Sequence, residues 1–199
     1  MVAIRTATAT DRQQLARALA SAFSEDPLFG WMVGPKAPLE ARMHVFFDVF
    51  LKQNLRRPEH LVFISEDGTG GAIWQPVDKW KVPPADLMRA FPAIVRAFRG
   101  RVPAMMGALN AIERQHPKEP HYYLEVLGTQ KDRQSTGIGS AVMTAMLERC
   151  DEEGLPAYLE SSNPKNIPFY ARHGFEVREE VSCGKGAPVA TTMWREPRG

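Results

Sequence analysis

The chain has 199 residues, long enough for one domain with a sizeable core, and its 44% hydrophobic and 24% charged content is that of an ordinary globular protein. A formal charge of +2 calls for no nucleic-acid partner, and the only cysteines, Cys150 and Cys183, are too few for a disulfide scaffold and are not placed like metal ligands. No apolar run reaches the about 20 residues of a membrane span, and the first residues lack the basic-then-apolar layout of a secretory signal. We therefore expect a cytoplasmic protein with free thiols, no metal and no membrane partner.

Residues 2–6 alternate like a strand, and Thr10 or Asp11 can cap a helix built on Leu15, Ala18, Leu19 and Ala22. Pro27, Gly30, Gly34, Pro35 and Pro38 then interrupt the chain. A second helix follows over 39–53, with Met43, Phe46, Phe47 and Phe50 on its buried side. Residues 61–64 and 71–75, separated by Glu66-Asp67-Gly68-Thr69-Gly70, read as a β-hairpin. Between 76 and 120 lies a proline-punctuated, largely helical insert, either a solvated helix with an apolar underside or a substrate lid.

An aromatic, β-rich run over 121–129 leads into a helix from Ile138, where Ile138, Ala141, Val142, Ala145 and Met146 keep helical spacing and Gly154 and Pro156 mark the end. A strand over 157–160, a short helix and two further strands ending near Trp194 complete the chain. The whole predicts one α/β domain over 1–199 with a mixed sheet.

The stretch Gln134-Ser135-Thr136-Gly137-Ile138-Gly139 sits between that strand and that helix. Gly137 and Gly139 let the backbone approach an anion, and the helix start offers unpaired N–H groups and the positive end of its dipole. A phosphate-bearing ligand follows. A dinucleotide fingerprint would need Gly or Ala where Val142 stands, and no Lys-Ser or Lys-Thr follows the glycines as a Walker loop requires. Lys131 and Arg133 flank the loop, as counter-charge for phosphate or simply as solvated cations.

Gln-x-x-Gly-x-Gly after a strand resembles the pyrophosphate loop of the GNAT superfamily of acetyl-CoA-dependent N-acyltransferases. The segment 157–177 matches that family's other half-site: Asn163 lies seven residues before Tyr170, and Gly174-Phe175 follow the tyrosine at +4 and +5. The phrases His116-Pro117-Lys118-Glu119-Pro120 and Thr192-Met193-Trp194, with Ala22-Phe23 and Asp26-Pro27, are similar to the puromycin N-acetyltransferase group. Ser135 departs from that group, which often carries Gly there.

The resemblance implies a mixed, mainly antiparallel sheet flanked by helices, with a V-shaped splay between two parallel strands that admits pantetheine. It implies acetyl-CoA as co-substrate, contacted by Leu127, Thr129, Gln134, Ser135, Thr136, Gly137, Ile138, Gly139, Ser140, Asn163 and Asn166, with backbone N–H groups near Leu127 polarising the thioester. Tyr170 matches the family's thiolate-protonating tyrosine.

Acetyl transfer to an amine also needs the amine neutral. By the period of two, His121, Tyr123, Glu125 and Leu127 share one strand face, which makes Glu125 the first candidate base and His121 the second, with a water as the remaining choice. Glu160, at the end of the neighbouring strand, can bind a cationic amine. Trp31 and Trp74, with Trp80, either line an acceptor pocket or pack. His44, His60, His116 and His173 show no partner pattern and read as surface or capping residues. The expected activity is transfer of acetyl to a primary amine of a small molecule by direct attack in a ternary complex, from a monomer or homodimer. The alternatives are acetylation of a protein N-terminus or lysine, and a non-catalytic acyl-CoA-binding regulatory module, which would need neither Tyr170 nor a strand carboxylate.

Overall fold

The computed structural model describes residues 2–198. Its frame is a seven-stranded sheet of β1 (Ile4–Thr6), β2 (Leu61–Ser65), β3 (Gly70–Gln75), β4 (Tyr122–Thr129), β5 (Ala157–Ser161), β6 (Glu176–Ser182) and β7 (Val189–Arg195). The spatial order is β1-β2-β3-β4-β5-β7-β6. Neighbours pair antiparallel except β4 and β5, which run parallel. The fold is thus mixed α/β and mainly antiparallel, as the resemblance implied.

Helices cover both faces. On one lie α1 (Arg12–Ala22), α2 (Pro27–Val33), α3 (Leu39–Asn54), α4 (Pro84–Phe98) and α5 (Val102–Arg114), whose Leu19, Met43, Phe47, Phe98 and Met105 bury against Ile64, Ile73 and Val126 of the sheet. On the other lie α6 (Ile138–Glu152) and α7 (Ile167–Arg172), where Ile138, Val142, Met146 and Tyr170 pack on Trp74, Leu124 and Leu159. Of the helical spacing read from residue 138 onward, Ile138, Val142 and Met146 are buried, while Ala145 is exposed and Met143, Leu147 and Cys150 complete the buried stripe. Gly128 lets α1 rest directly on β4, since a Cβ there would stand 2.8 Å from that of Ala22.

Helix α2 corrects the sequence reading, which took Pro27 to Pro38 as an interruption. Asp26 Oδ1 accepts the N–H of Phe29 at 2.9 Å, and Pro27 occupies the helix start, where its missing N–H is not needed. Gly34, at φ +97°, ends the helix. Of the residues that looked like breakers, Pro27 begins a short helix, Gly30 lies within it and Gly34 stops it.

The feature that shapes a site is the parting of β4 and β5. They pair only from Tyr122 opposite Ala157 to Leu124 opposite Leu159. Beyond Leu124, the edge of β4 has no partner from β5, and a V opens between the strands. At the same point the pairing with β3 slips from Ile73–Val126 to Trp74–Leu124, leaving Glu125 as the unpaired extra residue of a β-bulge. The bulge interrupts the expected alternation: Leu127 packs against the α6-side core although it also borders the cavity that Tyr123 and Glu125 line.

Candidate active site

The glycine stretch forms a loop that ends at the start of α6. Gly137 caps the helix with φ +90°, a left-handed conformation that favours glycine, and Ser135 adopts φ +62° without that freedom. Thr136 Oγ1 donates to the carbonyl of Arg133 at 2.6 Å, and Gln134 Nε2 reaches the carbonyl of Thr129 at 3.5 Å. The first helical hydrogen bond runs from Ala141 N–H to Gly137 O, so the N–H groups of Ile138, Gly139 and Ser140 lie in the unpaired first turn. The Ile138 side chain itself belongs to the core, 2% exposed, so only its backbone can serve a ligand. Gly139 faces the Phe169 ring, 3.4 Å from where a Cβ would stand. Lys131 is paired with Glu25, and Arg133 with Asp67 at 3.2 Å.

Across the V, Asn163 caps the turn into α7: its Oδ1 accepts from Lys165 N–H at 3.1 Å. The chain then brings Asn166 and Tyr170 to the wall of a cavity of about 260 Å³. Tyr170 is buried among Phe169 and Phe175. Burial, and then the nearby charge of Asp26, hold its phenol well above the usual tyrosine range, so it keeps its proton. Asp26 is itself buried and accepts from Ser162 Oγ, tying the start of α2 to the end of β5.

The cavity is walled by Phe46 and Phe50 of α3, Leu87, Ile94 and Phe98 of α4, and Met105 and Leu109 of α5, and its sheet side carries Tyr123, Glu125 and Glu160. Glu125 accepts from Gln75 Nε2, which also donates to Asn54 Oδ1 at 2.9 Å, while Arg57 Nη1 donates to Gln75 Oε1 at 3.2 Å. Burial raises the Glu125 carboxyl to about 7, with the charge of Glu160 adding to the rise and the Gln75 hydrogen bond and Arg57 opposing it. A carboxyl poised near neutrality at the wall of a mostly apolar cavity has the chemistry of a general base. Arg57 also holds Asp86 of α4 at 3.3 Å, so one residue braces both the carboxylate network and the helix that roofs it.

Three expected contributors lie elsewhere. His121 precedes β4, and its ring is buried against Tyr158 and Trp194 rather than on the cavity wall. Trp74 points to the α6 side and is core, 1% exposed. Trp31 packs under Arg101, whose guanidinium stands 5.0 Å from the ring centroid, away from the cavity. Conversely, His116 is not a surface or capping residue: its side chain is 2% exposed and lies 3.5 Å from Glu160. Gln75, Arg57 and Asp26 were also missed. The partners of Gln75 and Arg57, and Ser162 as a partner of Asp26, are remote in the chain, so no local spacing marks those contacts.

The family model described as "Acetyltransferase (GNAT) family" matches residues 17–175. The chain belongs to the GNAT acetyltransferase family. Among similar proteins, an uncharacterised N-acetyltransferase of Schizosaccharomyces pombe is 35% identical over 60 residues, which cover 30% of this chain and 24% of that relative, so the match spans about a quarter of the relative's length. A Corynebacterium glutamicum structure titled histone acetyltransferase HPA2 and related acetyltransferase aligns over 100% of this chain and 98% of its own, at 23% identity and a TM-score of 0.74. The PaiA N-acetyltransferase of Thermoplasma acidophilum, solved in complex with coenzyme A, aligns over 98% of this chain and 99% of its own, at 12% identity and a TM-score of 0.61. These structural likenesses are likenesses of fold. In this GNAT chain, the glycine loop and the tyrosine helix lie with α6 on one face of the sheet, and the cavity with its carboxylates, on the α3–α5 face, reaches Tyr170 where β4 and β5 part.

Proposed function

We propose that the chain transfers an acetyl group from acetyl-CoA to the primary amine of a small, partly apolar molecule, by direct attack and without a covalent enzyme intermediate. The observation that carries this reading is the cavity. Apolar side chains of α3, α4 and α5 enclose it, two carboxylates lie on its sheet side, and it meets the open edge of β4. An ammonium with an apolar body suits such walls; a protein terminus would need an open groove. The spelling shared with the puromycin group makes an aminonucleoside one candidate acceptor.

The residues fit acetyl-CoA. The backbone of Gln134–Ser140 and the α6 dipole would hold the pyrophosphate, and the open β4 edge near Leu127 and Thr129 the pantetheine. When bound, acetyl-CoA supplies a thioester carbon open to attack. Glu125 takes one proton from the ammonium and leaves the nitrogen lone pair free. The N–C bond forms, the C–S bond breaks, and the Tyr170 phenol gives its proton to the departing sulfur. The second proton shed by nitrogen as the amide forms restores Tyr170, and the proton on Glu125 returns to solvent. Metal ligands are not part of this reading.

A panel of primary amines graded in apolar bulk, including an aminonucleoside, a lysine peptide and a free peptide N-terminus, tests it through release of the CoA thiol. Small apolar amines should give the highest kcat/KM. Turnover confined to the peptides would replace this reading with protein acetylation. Acetyl-CoA binding without turnover of any amine would replace it with the non-catalytic module.

A further inference from the structure

Beside the cavity, three titratable side chains stand in a row. His121 Nδ1 lies 2.6 Å from the carbonyl oxygen of Glu119, and since a carbonyl only accepts, that nitrogen carries a hydrogen. His121 is 4% exposed, and burial pushes its ring toward the neutral form, so its Nε2 is a lone pair. His116 Nε2, 3.1 Å away, must then donate to it. The other nitrogen of His116, Nδ1, faces Glu160 Oε1 at 3.5 Å, and that oxygen is buried with no hydrogen-bond partner. A neutral His116 would set a lone pair against a carboxylate there. One more proton, held between His116 Nδ1 and Glu160, would match these two facing groups. Trp80 stacks on the His116 ring at 3.8 Å between centroids, a contact that suits an imidazolium. The groups lie in a line rather than around a point, and among the described residues no set of three such side chains surrounds a metal position.

We infer that His116 is a positioning residue of the acceptor site: its protonated ring, held between Trp80 and His121, neutralises Glu160 and leaves Glu125 as the single free carboxylate of the cavity. The inference rests on the reading of Glu125 as base. Other charges and phenols around the row are Tyr123 and Glu125 from β4, Tyr158 from β5, Arg178 and Glu179 from β6, Cys183 beyond it, and Glu119 before β4. Arg178 and Glu179 act in opposite directions on Tyr158, and the buried phenols of Tyr123 and Tyr158 face Glu160 as neutral donors, so neither phenol supplies the positive charge that His116 would bring to Glu160.

Two measurements test this. Imidazole ¹⁵N spectra of the free protein at neutral pH should show His116 as imidazolium in wild type and neutral in Glu160→Gln. In pH profiles of kcat/KM on an amine from the panel, His116→Gln should move the acid limb up by about one pH unit, because Glu160 becomes a bare like charge near Glu125. Glu160→Gln should leave the limb near its wild-type position, because both charges of the pair are lost together, and the double variant should follow Glu160→Gln. A neutral His116 in wild type would overturn the inference. So would an unmoved limb in His116→Gln, or a double variant that keeps the upward shift or loses the limb altogether. Failure of the base reading shows separately, as a Glu125→Gln variant that retains the limb while the spectra still decide the state of His116.

Discussion

The two sides of the V are built on different principles. The side we propose for the cofactor comes from short contiguous stretches, 134–140 and 163–170, and offers largely backbone: unpaired N–H groups, a left-handed glycine and a helix dipole. The acceptor side comes from side chains of α3, the helices α4 and α5, β3, β4 and β5, held by contacts such as Arg57–Asp86, Gln75–Glu125 and His116–Glu160. A backbone site tolerates many side chains around its glycines. A side-chain site depends on each partner, and its properties change when one is removed.

The most severe way to break this contrast is Glu125→Gln. General-base catalysis is worth ~10²- to 10⁴-fold, and kcat should fall within that range while acetyl-CoA affinity, measured by calorimetry, stays unchanged. The sign of the pH dependence follows from the raised carboxyl: the base form exists above about 7, so the wild-type rate should fall as pH drops through about 7, and the variant should lack that limb. A loss of acetyl-CoA affinity would show that the two sides are not separable.

Tyr170→Phe probes the boundary between them. It keeps the ring that packs beside Phe169 and Phe175 and removes the hydroxyl we propose as proton donor to the departing sulfur. Turnover should fall roughly 10- to 1,000-fold in steady-state kinetics, with the thermal midpoint unmoved, because a thiolate is already a fair leaving group. Undiminished turnover would reduce the residue to packing.

A smaller effect, on the other side of the contrast, is expected for Gly137→Val. Nothing lies within 4 Å of a Cβ there, so the damage is conformational: a branched residue at φ +90° costs on the order of 1–2 kcal/mol. Acetyl-CoA should bind about 10-fold more weakly, while the KM for the amine holds. Unchanged affinity would remove the loop from the site.

Smallest of all, Ser135→Gly relieves a non-glycine residue at φ +62°. It should stabilise the protein by less than about 1 kcal/mol in urea unfolding, since relief of backbone strain is partly offset by the added freedom of the unfolded chain. A destabilised variant would mean that the Ser135 side chain makes a contact worth more than the strain.

The same contrast explains what was legible in advance. The loop, α6, the β5–α7 phrase and the hairpin each announce themselves within a few residues, through glycine placement, periodicity and fixed spacing. Asn163 and Tyr170 are readable for that reason. Glu125 was found as a strand carboxylate, but its face was argued from a regular alternation that the bulge at that very residue interrupts. His116 went unrecognised because Glu160 and Trp80 lie more than 30 residues away in either direction along the chain, and nothing local marks the row they form. Trp31 and Trp74 were assigned by residue type alone, and burial placed them in packing.

What the sequence determined by itself is therefore most of the elements and the glycine turn into α6, since both depend on interactions between near neighbours: a left-handed Gly137, a helix from Ile138, a tyrosine seven residues after Asn163. The tertiary structure decided which carboxylate stands free and which is matched by an imidazole, and that the proline-punctuated stretch between β3 and β4 roofs an apolar cavity. Those outcomes depend on strand pairing, on one unpaired residue in β4 and on desolvation by α3, α4 and α5. Such effects exist only once remote segments have been brought together.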